Sequence, residues 1–208
     1  MIEYFQSASD QLIAALVQHI ELTAYALFFA LIFASIVTAI LMFYPKLQQV
    51  SVYVLSLLYA IPSYALFALL IPFTGLGSAT AIVVLVVYAQ YTLVRNFLAG
   101  LTQVDASVVE AAKGMGMTQW QVLTKVQLPL AQPAIFAGLR LAATSIIAIA
   151  TIAATVNAGG LGTVLFDGLR TMSLVKLAWG IILTVGLSLL VNLLLYLFEE
   201  LFKNEKVS

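Results

Sequence analysis

The sequence predicts an all-α integral membrane protein: five transmembrane helices, a short amphipathic helix ahead of them, and a polar helix-turn-helix between the third and fourth spans. Three observations carry that expectation. Of 208 residues, 63% are hydrophobic and only 9% charged, with a mean hydropathy of +1.09, whereas a soluble domain averages about 25% charged residues. Five stretches reach the ~20 mostly apolar residues that a helix needs to cross a bilayer. The polar residues between them gather in one block, residues 102–133, that keeps helical grammar. The same totals exclude classes of function. Net charge is zero, which argues against a nucleic-acid partner, since phosphate backbones need clustered Lys and Arg. There is no cysteine, so disulfides and thiolate metal sites are excluded. The single histidine, His19, cannot build a metal site alone and is expected as a polar residue at an interface or a helix end.

Taken in order, residues 9–20 place Leu12, Ile13, Leu16, Val17 and Ile20 on one face at helical spacing. That segment is too short to span and reads as an amphipathic helix lying at the membrane interface. No Lys or Arg precedes Lys46, so the start lacks the cationic region of a signal peptide and is expected to stay in place. The spans follow at 22–44, 50–71, 78–101, 134–156 and 174–198. Pro62, within the second, removes a backbone hydrogen bond and predicts a kink, as a packing feature or as a bend beside a pathway. The fourth span is crowded with Gly, Ala, Ser and Thr. Small residues let backbones approach closely, so this helix is expected among its neighbours or against a second copy.

Five spans put the termini on opposite sides. With the N-terminus outside, Lys46, Lys113, Lys125, Lys203 and Lys206 are cytoplasmic, Arg95 and Arg140 lie near cytoplasmic helix ends, and only Arg170 and Lys176 are left outside. Seven cations against two is the bias expected of a multi-pass protein. Arg95 and Arg140 are the charges well inside spans; snorkelling or a structural ion pair is the favoured reading and function the alternative. No carboxylate sits mid-span and no catalytic constellation occurs in the spans, which argues against a proton relay or a membrane-embedded enzyme.

Two capping boxes are written into the polar block. Ser107-Val-Val-Glu110 fits S-x-x-E, with Asp105 a competing cap, and Thr118-Gln-Trp-Gln121 fits T-x-x-Q; in each, two side chains satisfy free N–H groups reciprocally. Met117 is spaced to pack on Val122 as a staple. Gly114 and Gly116 fall between the helices, where a left-handed cap and a sharp turn need residues without a Cβ. Pro129 is expected to stop the second helix and Pro133 to mark the start of span four. A block so constrained is a rigid cytoplasmic protrusion. It either covers the bundle or docks into another protein and transmits movement, and rigidity favours docking.

These residues also carry a resemblance. EAAKGMG followed by VQLP is similar to the EAA signature of ABC importer permeases, the MetI-like transmembrane domains of binding-protein-dependent systems. Glu110, Ala111, Ala112, Gly116, Val126, Leu128 and Pro129 stand at the signature's spacing, with Val126 where Ile is usual. From Ala60 onward, IPSYALFALLIPFTGLG, VRNFLAGLTQVDASVVEAAKGMGMTQWQVLTKVQLPLAQPAIFAGLR and NAGGLGTVLFDGL resemble osmoprotectant permeases of the OpuC type. Asn157 departs from that family, which more often has Gly there.

The resemblance implies a type I importer permease, one transmembrane domain over residues 1–208, in the bacterial plasma membrane. Its cargo would be the quaternary ammonium compounds glycine betaine, carnitine and choline, with another small solute such as methionine the alternative. The implied partners are a cytoplasmic ABC ATPase dimer, a second permease (identical or related), an extracellular binding protein and membrane lipid. ATP and magnesium would be held by the ATPase. This chain is expected to be no enzyme and to hold no cofactor: it lacks G-x-x-x-x-G-K-[ST], since no Gly is followed by Lys. A stand-alone channel or secondary transporter is less favoured, because internal repeats are lacking. In the implied coupling segment, Glu110 contacts the ATPase, Ala111 and Ala112 allow close approach, Gly114 and Gly116 hold the turn, and Leu128 and Pro129 fix the exit into span four. A quaternary ammonium has no N–H to donate and relies on aromatic faces. Tyr59, Tyr64, Tyr88 and Tyr91, in spans two and three, are therefore either route-lining residues or interfacial anchors, and Pro62 is expected to bend span two. The loop of Asn157, Gly159, Gly160 and Gly162 is either an outer gate or a plain connection.

Overall fold

No glycine or proline occurs before Pro45, and nothing breaks the first helix. In the computed structural model, which describes residues 1–204, α1 runs unbroken over Ile2–Phe43, 42 residues. The expected interfacial helix over 9–20 is thus not a separate element. The reason is a single buried stripe, Leu12, Ala15, His19, Leu22, Ala26, Ala30, Ala34, Thr38 and Leu41, that runs through both segments at helical spacing. Ile13, Val17 and Ile20 point outward instead. Leu12 and Ala15 pack with Leu161 and Val164, against Trp179 and Leu183, so protein and not lipid headgroups covers this face.

The second span is broken. α2 (Pro45–Ala60) and α3 (Ser63–Thr74) meet at 92°. Ile61 and Pro62 between them are extended, with ψ of 131° and 129°, because proline disfavours helix at the residue before it and has no N–H to offer. The Ile61 carbonyl accepts the Tyr88 hydroxyl. Among the described residues four helices are long and apolar enough to cross a membrane, or five spans if the bent pair counts as one.

α4 (Ser78–Thr102) is the central helix, packed on α1, α2, α3 and α8. Its buried face of Ala81, Val84, Leu85, Ala89, Leu93, Val94 and Phe97 forms the main core with the α1 alanines and with Ala142, Ile146 and Ala150. The polar block follows as α5 (Ala106–Gly114), α6 (Gln119–Val122), a π-helical turn over Leu123–Gln127, and α7 (Leu128–Leu130). α8 (Gln132–Ala150) returns across the bundle, with Pro133 in its first turn, and its small residues are buried in its own chain: a Cβ on Gly138 would stand 2.6 Å from that of Asn96. After a 3₁₀ turn over Ile152–Val156, α9 (Leu161–Arg170) lies against α1, and α10 (Leu174–Asn204) packs on α8 and α9. Lys206, counted for orientation above, lies outside the described residues.

The two ends of the bundle are distinct. At one, Phe43 of α1 stacks on Trp120 of the polar block, ring centres 6.2 Å apart. At the other, the Trp179 indole N–H donates to the Met1 carbonyl at 3.2 Å, near the loop that precedes α9.

Candidate functional site

The polar block is a built shape. α5 is capped by Asp105, whose carboxylate accepts from the Ser107 N–H at 2.8 Å. Hydrogen bonds from the Ser107 backbone and side chain hold the Asp105 carboxyl below the usual carboxylate range. The expected Ser107–Glu110 box does not form: Ser107 is already inside the helix, and the earlier cap wins. The second box is present in full, Gln121 N–H to Thr118 Oγ1 at 3.3 Å and Thr118 N–H to Gln121 Oε1 at 2.8 Å. Between the helices the two glycines have different parts. Gly114 is the last residue of α5, whereas Gly116 takes φ +86°. The Met117 N–H bonds the Ala112 carbonyl at 3.2 Å and the Gly116 N–H bonds Lys113 at 2.9 Å, the paired closure of a left-handed helix end.

Glu110, Ala111, Lys113, Gly114, Gly116 and Leu128 are exposed, Val126 and Pro129 half-buried, and Ala112 buried beneath the block. Pro129 does not stop the second helix. Leu128 and Ala131 keep right-handed helical angles, and the chain passes from the π turn through α7 into α8. Pro129 offers no N–H to Lys125, so the regular ladder is interrupted, and the wider turn carries the backbone past it, with the Leu128 N–H on Leu123. Gln127 Nε2 donates to the Leu101 carbonyl at 3.1 Å, and Leu101, Leu123 and Ala131 form a small core. The block is thereby fixed to the ends of both α4 and α8.

At the far end of α8 the glycine loop is clasped by α1. Asn157 is left-handed at φ +62°, and Gly159 and Gly160 follow at +76° and +80°. Asn is among the few residues besides Gly that visit this region readily, so the departure at 157 keeps the turn. The Gly160 N–H donates to Gln18 Oε1 at 3.1 Å and the Leu161 N–H to His19 Nδ1 at 3.3 Å. With Nδ1 accepting, His19 carries its proton on Nε2, and Nε2 donates to the Ile147 carbonyl at 3.1 Å. That carbonyl is open because the Thr151 N–H turns to Ala148 as the helix tightens to 3₁₀. A Cβ on Gly162 would collide with the Thr151 carbonyl oxygen. His19 is therefore no interfacial residue: it is fully buried and joins three elements. The periodic buried stripe of α1 was the signal in the sequence; the expectation of a separate interfacial helix hid it. The Asp167 carboxyl of α9 is held below its usual range by Lys176 of α10 at 2.6 Å and by Arg170 at 2.9 Å.

Midway between these ends, three of the four tyrosines come together. Ring centres of Tyr59 and Tyr91 are 5.1 Å apart and those of Tyr59 and Tyr88 5.7 Å; Tyr64 is exposed on α3. Pro62 lies at the break beside them. Arg140 forms the structural ion pair, with the buried Glu199 of α10. Glu199 was missed because it follows the apolar run, and no spacing in the sequence ties it to a residue 59 positions earlier. Among the described residues Arg95 pairs with no carboxylate; it bonds the Tyr91 hydroxyl, one turn further from the helix end, at 2.7 Å. Among the described residues, no group of three or more His, Asp or Glu is placed to hold a metal ion.

Known proteins share both the sequence and this architecture. The family model described as binding-protein-dependent transport system inner membrane component matches residues 22–205. The carnitine transport permease protein OpuCB of Listeria monocytogenes is 36% identical over 170 residues, 82% of this chain and 78% of its own. The osmoprotectant import permease protein OsmW of Salmonella typhimurium is 32% identical over 200 residues, 94% and 93% of the two chains. A chain of the MetNI methionine ABC transporter superposes with a TM-score of 0.83 over 92% of this chain and 95% of its own, at 22% identity, which makes the fold that of a type I ABC permease. The chain thus belongs to the inner-membrane components of binding-protein-dependent transport systems, the permease subunits of ABC importers.

Proposed function

We propose that this permease carries quaternary ammonium osmoprotectants, glycine betaine, carnitine and choline, into the bacterial cell, driven by a separate ATPase. The observation that carries the reading is likeness along most of the chain to permeases named for carnitine and for osmoprotectants. The N-terminus is outside and the C-terminus inside, because Lys46, Lys113 and Lys125 belong to the end that holds the polar block and Arg170 and Lys176 to the other. A second permease, identical or related, completes the pathway, and an extracellular binding protein delivers the solute.

The polar block, within residues 102–133, is the coupling segment. A cytoplasmic ATPase dimer holding ATP and magnesium receives it in a groove. Glu110 makes the polar contact, Ala111 allows close approach, and Ala112 packs the block from beneath. Gly114 ends the helix without bulk, Gly116 makes the turn, and Val126, Leu128 and Pro129 carry the chain into α8. Closure of the ATPases moves the block. Because the block runs into α8 through helical backbone and is tied to α4 through Gln127, both helices move with it. The test is purification of the native complex, with ATP-driven uptake measured for glycine betaine, carnitine, choline and methionine. Stimulation by the first three identifies the cargo; stimulation by methionine alone replaces it. Uptake by this chain without any ATPase would point instead to a self-contained transporter.

A further inference from the structure

Arg95 points the wrong way for a charge near the end of a membrane helix. It lies seven residues before Thr102, the last residue of α4, which places its Cα about 10 Å inside that end. A snorkelling arginine turns toward the nearer end. Arg95 turns away from it: Nη1 donates to the Tyr91 hydroxyl, one turn deeper, and the guanidinium carbon stands 5.7 Å from the centre of the Tyr91 ring. The guanidinium is thus turned toward Tyr91, which stands near the midpoint of the 25-residue helix. Arg95 and Tyr59 are exposed and Tyr91 is half-buried. A guanidinium at that depth is too costly to present to hydrocarbon and calls for water or a polar cargo.

The surroundings agree. Tyr59 is two residues from the Ile61–Pro62 break, and the Tyr88 hydroxyl is fixed on the Ile61 carbonyl. Unwound backbone at membrane depth is tolerated where it is buried in protein or lines a water-filled cavity. We propose that Arg95, Tyr91 and Tyr59 form a passage subsite for a zwitterionic trimethylammonium solute, the guanidinium taking the carboxylate and the tyrosine rings the onium group. This rests on the osmoprotectant reading above. A guanidinium matches a carboxylate in geometry as well as charge, and a trimethylammonium group, having no N–H, is held through ring faces. The guanidinium covers the Tyr91 ring that the onium needs, so a carboxylate draws it away as the solute arrives. Choline has no carboxylate and meets an unneutralised guanidinium.

The complete importer, with its ATPase and binding protein, is reconstituted in proteoliposomes. Arg95→Gln lowers glycine betaine and carnitine uptake about tenfold, while choline uptake holds or rises. Tyr91→Phe, which keeps the ring, preserves uptake of all three; Tyr91→Leu lowers all three. Co-purification of each variant with its ATPase shows that assembly is intact. A second measurement exploits the absence of cysteine: Arg95→Cys in the assembled importer reacts with a water-soluble thiol reagent. Equal loss of all three solutes in Arg95→Gln, no change in any, or an unreactive Arg95→Cys overturns the subsite alone. If the unaltered importer moves none of the three, the osmoprotectant reading falls and the subsite with it.

Discussion

His19 shows how one side chain can hold three elements. Its Nδ1 accepts from Leu161 at the start of α9 and its Nε2 donates to Ile147 on α8, while its backbone belongs to α1. Phenylalanine would fill the volume but leave a buried N–H and a buried C=O without partners, at about 1–3 kcal/mol for each orphaned group. His19→Phe is therefore expected to lower the thermal unfolding temperature of the purified protein in detergent, and His19→Asn, whose side chain can still accept and donate, to lose less. Equal stability of His19→Phe and the natural chain would show that these bonds contribute nothing. Arg140 and Glu199 are a different case: the pair sets opposite charges against each other at the contact of α8 and α10.

The polar block owes its form to backbone rules more than to packing. Asp105 and the Thr118–Gln121 box start its helices, and the turn between them rests on one residue, Gly116. A side chain at φ +86° pays the left-handed penalty of about 1–2 kcal/mol, whereas Gly114 is helical with open space where a Cβ would stand. Gly116→Val should thus leave membrane insertion intact but abolish transport-coupled ATP hydrolysis. Gly114→Ala should keep coupling unless the ATPase itself needs that space. Measuring ATPase activity and membrane content of the two variants side by side separates turn geometry from docking; normal coupling in Gly116→Val would remove the docking role.

The whole molecule links its two ends through α8. One end grows out of the polar block, and the other is held at Ile147 and at the glycine loop by α1. A displacement of the block therefore reaches the loop along α8, and Gln18 and His19 would resist it. Gln18→Leu removes the bond to Gly160 at an exposed position, so the fold should survive while the loop is released. The expected outcome is ATP hydrolysis less dependent on the binding protein, raised severalfold in its absence. Hydrolysis that stays fully dependent on the binding protein would assign the clasp to stability alone.

Much of this protein was legible one residue at a time. The apolar runs, the break at Pro62, the second capping box and the spacing of Glu110, Ala111, Ala112, Gly116, Leu128 and Pro129 are local facts, set by helix propensity, caps and the missing N–H of proline. They were enough to expect the fold class and a shaped element on one side of the membrane. What the sequence left undecided or misjudged were matters of distance across the fold. The competition between Asp105 and Ser107, the passage of the chain beyond Pro129, the burial of His19, the pairing of Arg140 with Glu199 and the inward turn of Arg95 all depend on which surface faces which. Periodicity identifies a helix and its apolar stripe; it does not say that a glycine loop 142 residues away will press on that stripe. Only tertiary packing brings a buried donor to its acceptor, because the partner is chosen by proximity in space after the helices have met.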